Sequence, residues 1–153
     1  MFGAIRSQAF RQNVRQAYQK RHFVQLAQSV RSTYPISEIT TSELNSSLSS
    51  PEKPIVIDVR EKEEQVQGVI PSAITIPRGV LERDVEQLAG SVDEVNAKKD
   101  QKVVLYCAGG VRSLLAAESL IRLGYKKENI FSLEGGYQKW KKAGFDVEPY
   151  EKK

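Results

Sequence analysis

The 153-residue chain reads as one α/β domain with a five-stranded, mostly parallel sheet and helices on both faces. Three observations predict this. Short apolar runs of strand length recur at 36–39, 55–58, 74–76, 103–106 and 130–133. Segments of helical spacing lie between them, and strand–helix alternation builds a parallel sheet covered on both sides. The chain is also long enough for one sizeable core, at 40% apolar and 27% charged residues.

The elements follow in order. After the first strand, Thr40 with Glu43 three residues on is a capping-box signal for a helix over 41–48. The run S-S-L-S-S-P-E-K-P is a loop leading into the second strand. Residues 61–67 are polar enough for a short exposed helix. Pro71 and Pro77 bound the third strand. Helices are expected over 81–88 and 92–98. The fourth strand, V-V-L-Y, is apolar throughout, as a strand buried on both faces is. Leu114, Leu115, Ala117, Leu120, Ile121 and Leu123 give a helix over 113–123 a wide buried face, which Gly124 closes. The fifth strand and a helix over 137–143 complete the domain, assigned to 35–150, with a polar tail at 151–153.

The net charge of +4 is unevenly spread. Six of the 23 basic residues (Arg6, Arg11, Arg15, Lys20, Arg21 and Arg31) lie in residues 1–37, which hold no acid. The remainder carries 17 basic against 19 acidic residues, a net of −2, and shows no nucleic-acid motif. Phe2, Ile5, Phe10, Val14, Tyr18 and His22 recur at three to five residues, so they can share a helical face. An acid-free, Arg-rich amphipathic segment has the pattern of a mitochondrial transit peptide. Residues 1–34 are therefore expected to be such a peptide, addressing the matrix, or else a disordered basic segment. No apolar run reaches the roughly 18 residues of a membrane span.

The chemistry centres on Cys107, the sole cysteine. It begins a six-residue connection, Cys107 to Arg112, from the fourth strand to a helix N-terminus. Open α/β sheets bind ligands at that end of their strands, and helix N-termini favour anions. A thiol so placed, with an arginine nearby, is expected to be a nucleophilic thiolate. Gly109 and Gly110 let the backbone curl so that amides converge, and Arg112 adds a planar fork for an oxyanion. The competing reading is a buried structural cysteine before a tight turn. His22 lies outside the domain, so a Cys–His dyad is not at hand. A disulfide within the chain is excluded, and a cysteine-based metal site is not expected.

At these residues the chain resembles the rhodanese-like sulfurtransferases. C-A-G-G-V-R-S after V-V-L-Y is similar to their Cys-x-x-Gly-x-Arg loop. V-I-D-V-R at 56–60, Glu63 or Glu64, and G-V-I-P-S-A-I-T-I-P at 68–77 resemble the family's Asp-Val-Arg segment and its following Gly-His-Ile-Pro-Gly-Ala segment, with Val69 and Ser72 departing from the pattern. N-I-F-S-L-E-G-G-Y-Q-K-W at 129–140 resembles its last strand, Gly-Gly turn and Trp-bearing helix. The resemblance implies a rhodanese-like fold and a thiosulfate sulfurtransferase of the mitochondrial single-domain type. Cys107 would take sulfane sulfur as a persulfide and pass it to cyanide, glutathione or a protein thiol. The amides of Ala108, Gly109, Gly110, Val111 and Arg112 would hold the anionic sulfur, with Arg112 on the substrate anion. No metal or organic cofactor is implied.

Asp58 and Arg60 carry two readings. As site residues, Arg60 would assist a substrate anion and Asp58 would orient the loop. As structural residues, they form an ion pair fixing the strand end. Arg78 and Glu82 are further rim candidates. The rival functions are a non-catalytic binding or persulfide-carrier module, and a cysteine phosphatase or arsenate reductase. The latter class uses Cys-x5-Arg, one residue longer than the Cys-x4-Arg found here.

Overall fold

The computed structural model describes residues 8–33 and 35–151. The expectations that fall on residues 1–7, 34, 152 and 153 lie outside the described residues.

Five parallel strands form one sheet: β1 (Ser37–Ile39), β2 (Ile55–Asp58), β3 (Ile74–Thr75), β4 (Val103–Tyr106) and β5 (Ile130–Leu133). Their order is β1-β5-β4-β2-β3, so β4 is central and the expected fold class holds. The helices are α1 (Gln8–Thr33), α2 (Thr41–Leu48), α3 (Lys62–Gln65), α4 (Leu81–Ala89), α5 (Val92–Ala97), α6 (Arg112–Leu123) and α7 (Gly136–Lys142).

Side-chain alternation along the strands splits the core in two. On one face Ile57, Val103, Leu105 and Ile130 pack with Leu81 and Val85 of α4, Val95 of α5, and Ala116, Ala117 and Leu120 of α6. On the other, Val56, Val104, Tyr106, Ile39 and Leu133 pack with Leu44 of α2 and Tyr137 and Trp140 of α7. The expected capping box starts α2: Glu43 N–H donates to Thr40 Oγ1 at 3.2 Å, and Thr40 N–H donates to Glu43 at 2.9 Å. Gly124 ends α6 in the left-handed conformation, at φ 112°. Near the C-terminus, Glu148 and Val69 exchange backbone hydrogen bonds of 2.8 and 2.9 Å, tying that segment to the loop before β3.

The N-terminal segment, read as a transit peptide or a disordered stretch, is a 26-residue helix where described. Its apolar surface divides. Phe10, Val14 and Tyr18 stand largely exposed, whereas Ala27 and Val30 are buried against Leu114 of α6. The last turns of α1 thus pack onto the domain.

Candidate active site

The loop from Cys107 to Val111 joins the central strand β4 to the twelve-residue α6. Cys107 is 1% exposed. Its Sγ accepts a hydrogen bond of 3.1 Å from the Gly110 N–H, which among the described residues is the one backbone amide bonded to it. Gly110 sits at φ 96°, and a Cβ there would lie 3.1 Å from the Gly135 nitrogen, so the position requires glycine. Behind the sulfur, Ser113 Oγ lies 3.5 Å from Sγ and 2.8 Å from Ser132 Oγ. Both serines are buried, so this chain of hydroxyls can turn a proton toward an anionic sulfur without water. The helix dipole of α6 acts in the same direction.

The β5–α7 turn supports the loop from the other side. Gly136, at φ 60°, brings the N-terminus of α7 against the loop. Tyr137 N–H donates to the Cys107 carbonyl at 2.8 Å, and Gln138 N–H to the Ala108 carbonyl at 3.0 Å. A Cβ at Gly136 would collide with the Cys107 carbonyl and stand 2.7 Å from that of Ala108. The second Gly-Gly pair, expected only to make a tight turn, is therefore also the loop's support.

Arg112 does not point its fork into an open loop. Its two terminal nitrogens donate to the two carboxylate oxygens of Glu64, at 2.9 and 2.8 Å. Glu64 in turn accepts the Glu61 N–H at 2.9 Å, closing a capping box on α3. The Arg112 hydrogen bonds hold the Glu64 carboxyl below its ordinary range, and Glu64 pushes the Arg112 guanidinium further up. Of the other loop residues, Gly109 is exposed at the rim and Ala108 and Val111 are half-buried.

Asp58 and Arg60 are not assembled as substrate ligands, which corrects one of the two readings of this pair. Arg60 is 3% exposed and Asp58 fully buried. The Arg60 guanidinium donates to Asp58 at 2.8 to 3.2 Å, to the Gly68 carbonyl at 2.7 Å and to the Glu64 carbonyl at 3.3 Å. It also lies 4.0 Å from the centroid of the Tyr137 ring. Tyr106 O–H donates to Asp58 at 2.6 Å and accepts the Ile70 N–H at 3.0 Å. Burial, reinforced by Asp58, pushes the Tyr106 hydroxyl pKa up. A charged pair this deep is tolerated because its donors are satisfied. It pins the carboxyl end of β2 and leaves no fork for a substrate. Arg78 faces Glu82 at 3.7 Å.

The sequence marks neither Ser113 nor Ser132 as a site residue, and marks Glu64 only through the segment that follows Asp58 and Arg60. Ser113 directly follows Arg112, in the first turn of α6. Ser132 pairs in register with Leu105, two residues before Cys107, but that neighbourhood depends on the strand order.

A single buried thiol in a six-residue loop, at the carboxyl end of the middle strand of a parallel sheet, defines a class: α/β domains that hold one cysteine at a helix N-terminus. The chain belongs to the rhodanese-like domain family, whose model matches residues 40–143. YtwF of Bacillus subtilis, assigned as a sulfurtransferase, is 34% identical over 105 residues, covering 69% of this chain and 90% of that protein. A sulfurtransferase of Allochromatium vinosum is 29% identical over 112 residues, covering 73% and 94%. The tRNA uridine(34) hydroxylase of Erwinia tasmaniensis is 34% identical over 98 residues, covering 64% of this chain and 26% of that protein. Among solved structures, a rhodanese-related protein of Thermoplasma volcanium matches with a TM-score of 0.58 and 32% identity, covering 73% and 97%. The fold is thus rhodanese-like, and the family is that of the rhodanese-like sulfurtransferases.

Proposed function

We propose that the protein is a rhodanese-type sulfurtransferase whose nucleophile is Cys107, with thiosulfate or a similar sulfane compound as donor. The thiolate attacks the outer sulfur of thiosulfate. A Cys–S–S⁻ persulfide forms, the bond to the inner sulfur breaks, and sulfite leaves with the electron pair. A thiophilic acceptor (cyanide, glutathione or a protein thiol) then attacks the terminal sulfur and restores the thiolate. The two half-reactions give ping-pong kinetics. The observation that carries this reading is the Gly110 amide aimed at Sγ from 3.1 Å, in front of the α6 N-terminus. The remaining loop amides would take up the persulfide's charge once it extends into the loop. The relatives assigned as sulfurtransferases support the reading; the hydroxylase relative shows that the domain also occurs within proteins of other activity.

The test is intact mass after incubation with thiosulfate and with an organic persulfide. Wild type should gain one sulfur atom, lost again on adding cyanide. Cys107→Ser, nearly isosteric but hardly ionised, should fold and gain none. Transfer activity surviving in folded Cys107→Ser would overturn the mechanism.

We also propose that the N-terminal segment directs import into the mitochondrial matrix. Its support is the acid-free stretch carrying Arg11, Arg15, Lys20 and Arg21. The relatives named above are prokaryotic and lend it none. Packing of Ala27 and Val30 on Leu114 counts against removal of the whole segment, so a cut is placed before Ala27. A reporter fused to residues 1–26 should enter mitochondria; a diffuse cytosolic signal would overturn the proposal.

A further inference from the structure

The one cation of the loop is already engaged. Arg112 gives both terminal nitrogens to Glu64, in the bidentate geometry with which a guanidinium holds a substrate oxyanion. Glu64 cannot simply swing aside, because the Glu61 N–H fixes the same carboxylate. Glu61 and Glu63 lie on the same short element, with Lys62 the one base among them. The remaining loop residues, Cys107 to Val111, carry no cationic side chain. Arg60 is spent inside the domain on Asp58 and on the Gly68 carbonyl. The positive charge at the loop is therefore cancelled by an internal carboxylate standing where a donor's oxyanion would bind.

We propose that Glu64 sets donor specificity: it occupies Arg112 as an internal counter-anion and turns the site away from dianionic inorganic donors, toward sulfane donors of lower negative charge. This rests on the sulfur-transfer reading of Cys107. A thiosulfate dianion must displace Glu64 from Arg112 or enter against it. A monoanionic or protein-bound persulfide needs only its outer sulfur above Sγ and leaves the pair intact. The loop amides, which carry no net charge, serve both donors alike.

The experiment compares wild type with Glu64→Gln on two donors that present the same outer sulfur, thiosulfate (two negative charges) and methanethiosulfonate (one), with cyanide as acceptor. Glutamine can still accept the Glu61 N–H, so the start of α3 is kept. Removing one charge at contact distance from a partly exposed arginine is worth about tenfold. Glu64→Gln should raise kcat/KM for thiosulfate by about that factor, mostly through KM, and raise it much less for methanethiosulfonate. Added salt should shrink the difference. On an Arg112→Gln background the same change should give no selective gain. Equal changes on both donors, a fall with thiosulfate, or a gain persisting without Arg112 would overturn the proposal. If Glu64→Gln fails to fold, the wild-type ratio decides: a preference for thiosulfate over methanethiosulfonate overturns it. Persulfide formation from neither donor in wild type sinks the sulfur-transfer reading instead.

Discussion

The backbone N–H of Tyr137 donates to the carbonyl of Cys107 at 2.8 Å, so the last helix of the domain holds the candidate nucleophile in place. The contact is close because Gly136 has no side chain. Its φ of 60° and the carbonyls of Cys107 and Ala108 leave no room for a Cβ. Gly136→Ala must either move α7 or move the loop. The expected cost is about 1–3 kcal/mol in stability. Transfer activity should fall by about a hundredfold, because a shift near 1 Å at the reacting atom suffices for that. Denaturant unfolding and steady-state kinetics check both; unchanged kinetics would mean that α7 does not position the loop.

Much of this was legible in sequence, for definite reasons. β4 and its loop were readable because a fully buried strand, a glycine pair and an amphipathic helix all left local signals around Cys107. The capping box at Thr40 was readable because its partner is three residues away. The Glu64–Arg112 pair spans 48 residues and depends on β2 lying beside β4, so no local pattern reveals it. Arg60 illustrates the converse. Its place at a strand's carboxyl end was readable, but the direction of its side chain was not. That direction is set by Asp58 two residues earlier and by the Gly68 carbonyl. In α1, the spacing of Phe10, Val14 and Tyr18 could not show that Ala27 and Val30 are the residues that pack.

Asp58 and Arg60 give the second prediction. Removing one member of a fully buried ion pair strands the other, which costs about 3–5 kcal/mol. Asp58→Ala should therefore lower stability by that amount, since it also removes the acceptor of Tyr106. Arg60→Lys should also lower stability, because a point charge cannot serve Asp58 and the Gly68 carbonyl together. Chemical denaturation of both variants checks this. A loss below about 1 kcal/mol would show that the network is not a structural clamp.

The Glu64–Arg112 pair makes stability depend on pH in a definite direction. Hydrogen bonds from Arg112 hold the folded Glu64 carboxyl below its ordinary value of 4.5. The unfolded chain then binds the proton first as pH falls. The pair's contribution is full above about pH 5 and is lost as pH drops through the lower folded value. Arg112, already highest among side chains and pushed further up, does not titrate in that window. Wild type should thus exceed Glu64→Gln in stability at pH 7, with the gap closing below about pH 4. A gap that stays constant down to pH 3 would mean that the pair contributes nothing through ionisation.

The last prediction separates sulfur transfer from phosphoryl chemistry, and it follows from the size of the loop. Six residues run from Cys107 to Arg112, and one amide, that of Gly110, reaches Sγ at 3.1 Å. A persulfide adds a single atom above that sulfur. A tetrahedral phosphate needs its phosphorus about 3–3.5 Å from Sγ and its oxygens on several amides at once. The backbone here has little slack to widen. A Cβ at Gly110 would already meet the Gly135 nitrogen, and the Cys107 and Ala108 carbonyls are held by Tyr137 and Gln138. Wild type should therefore hydrolyse aryl phosphates negligibly while forming a persulfide readily. Inserting one glycine between Gly109 and Gly110 should widen the ring, lower sulfur transfer and admit phosphate or arsenate as a competitive ligand. Kinetics on thiosulfate and on an aryl phosphate, for wild type and the insertion variant, decide the matter. Robust phosphatase activity in wild type, with no sulfur adduct by mass, would show that loop length does not govern the chemistry of this site.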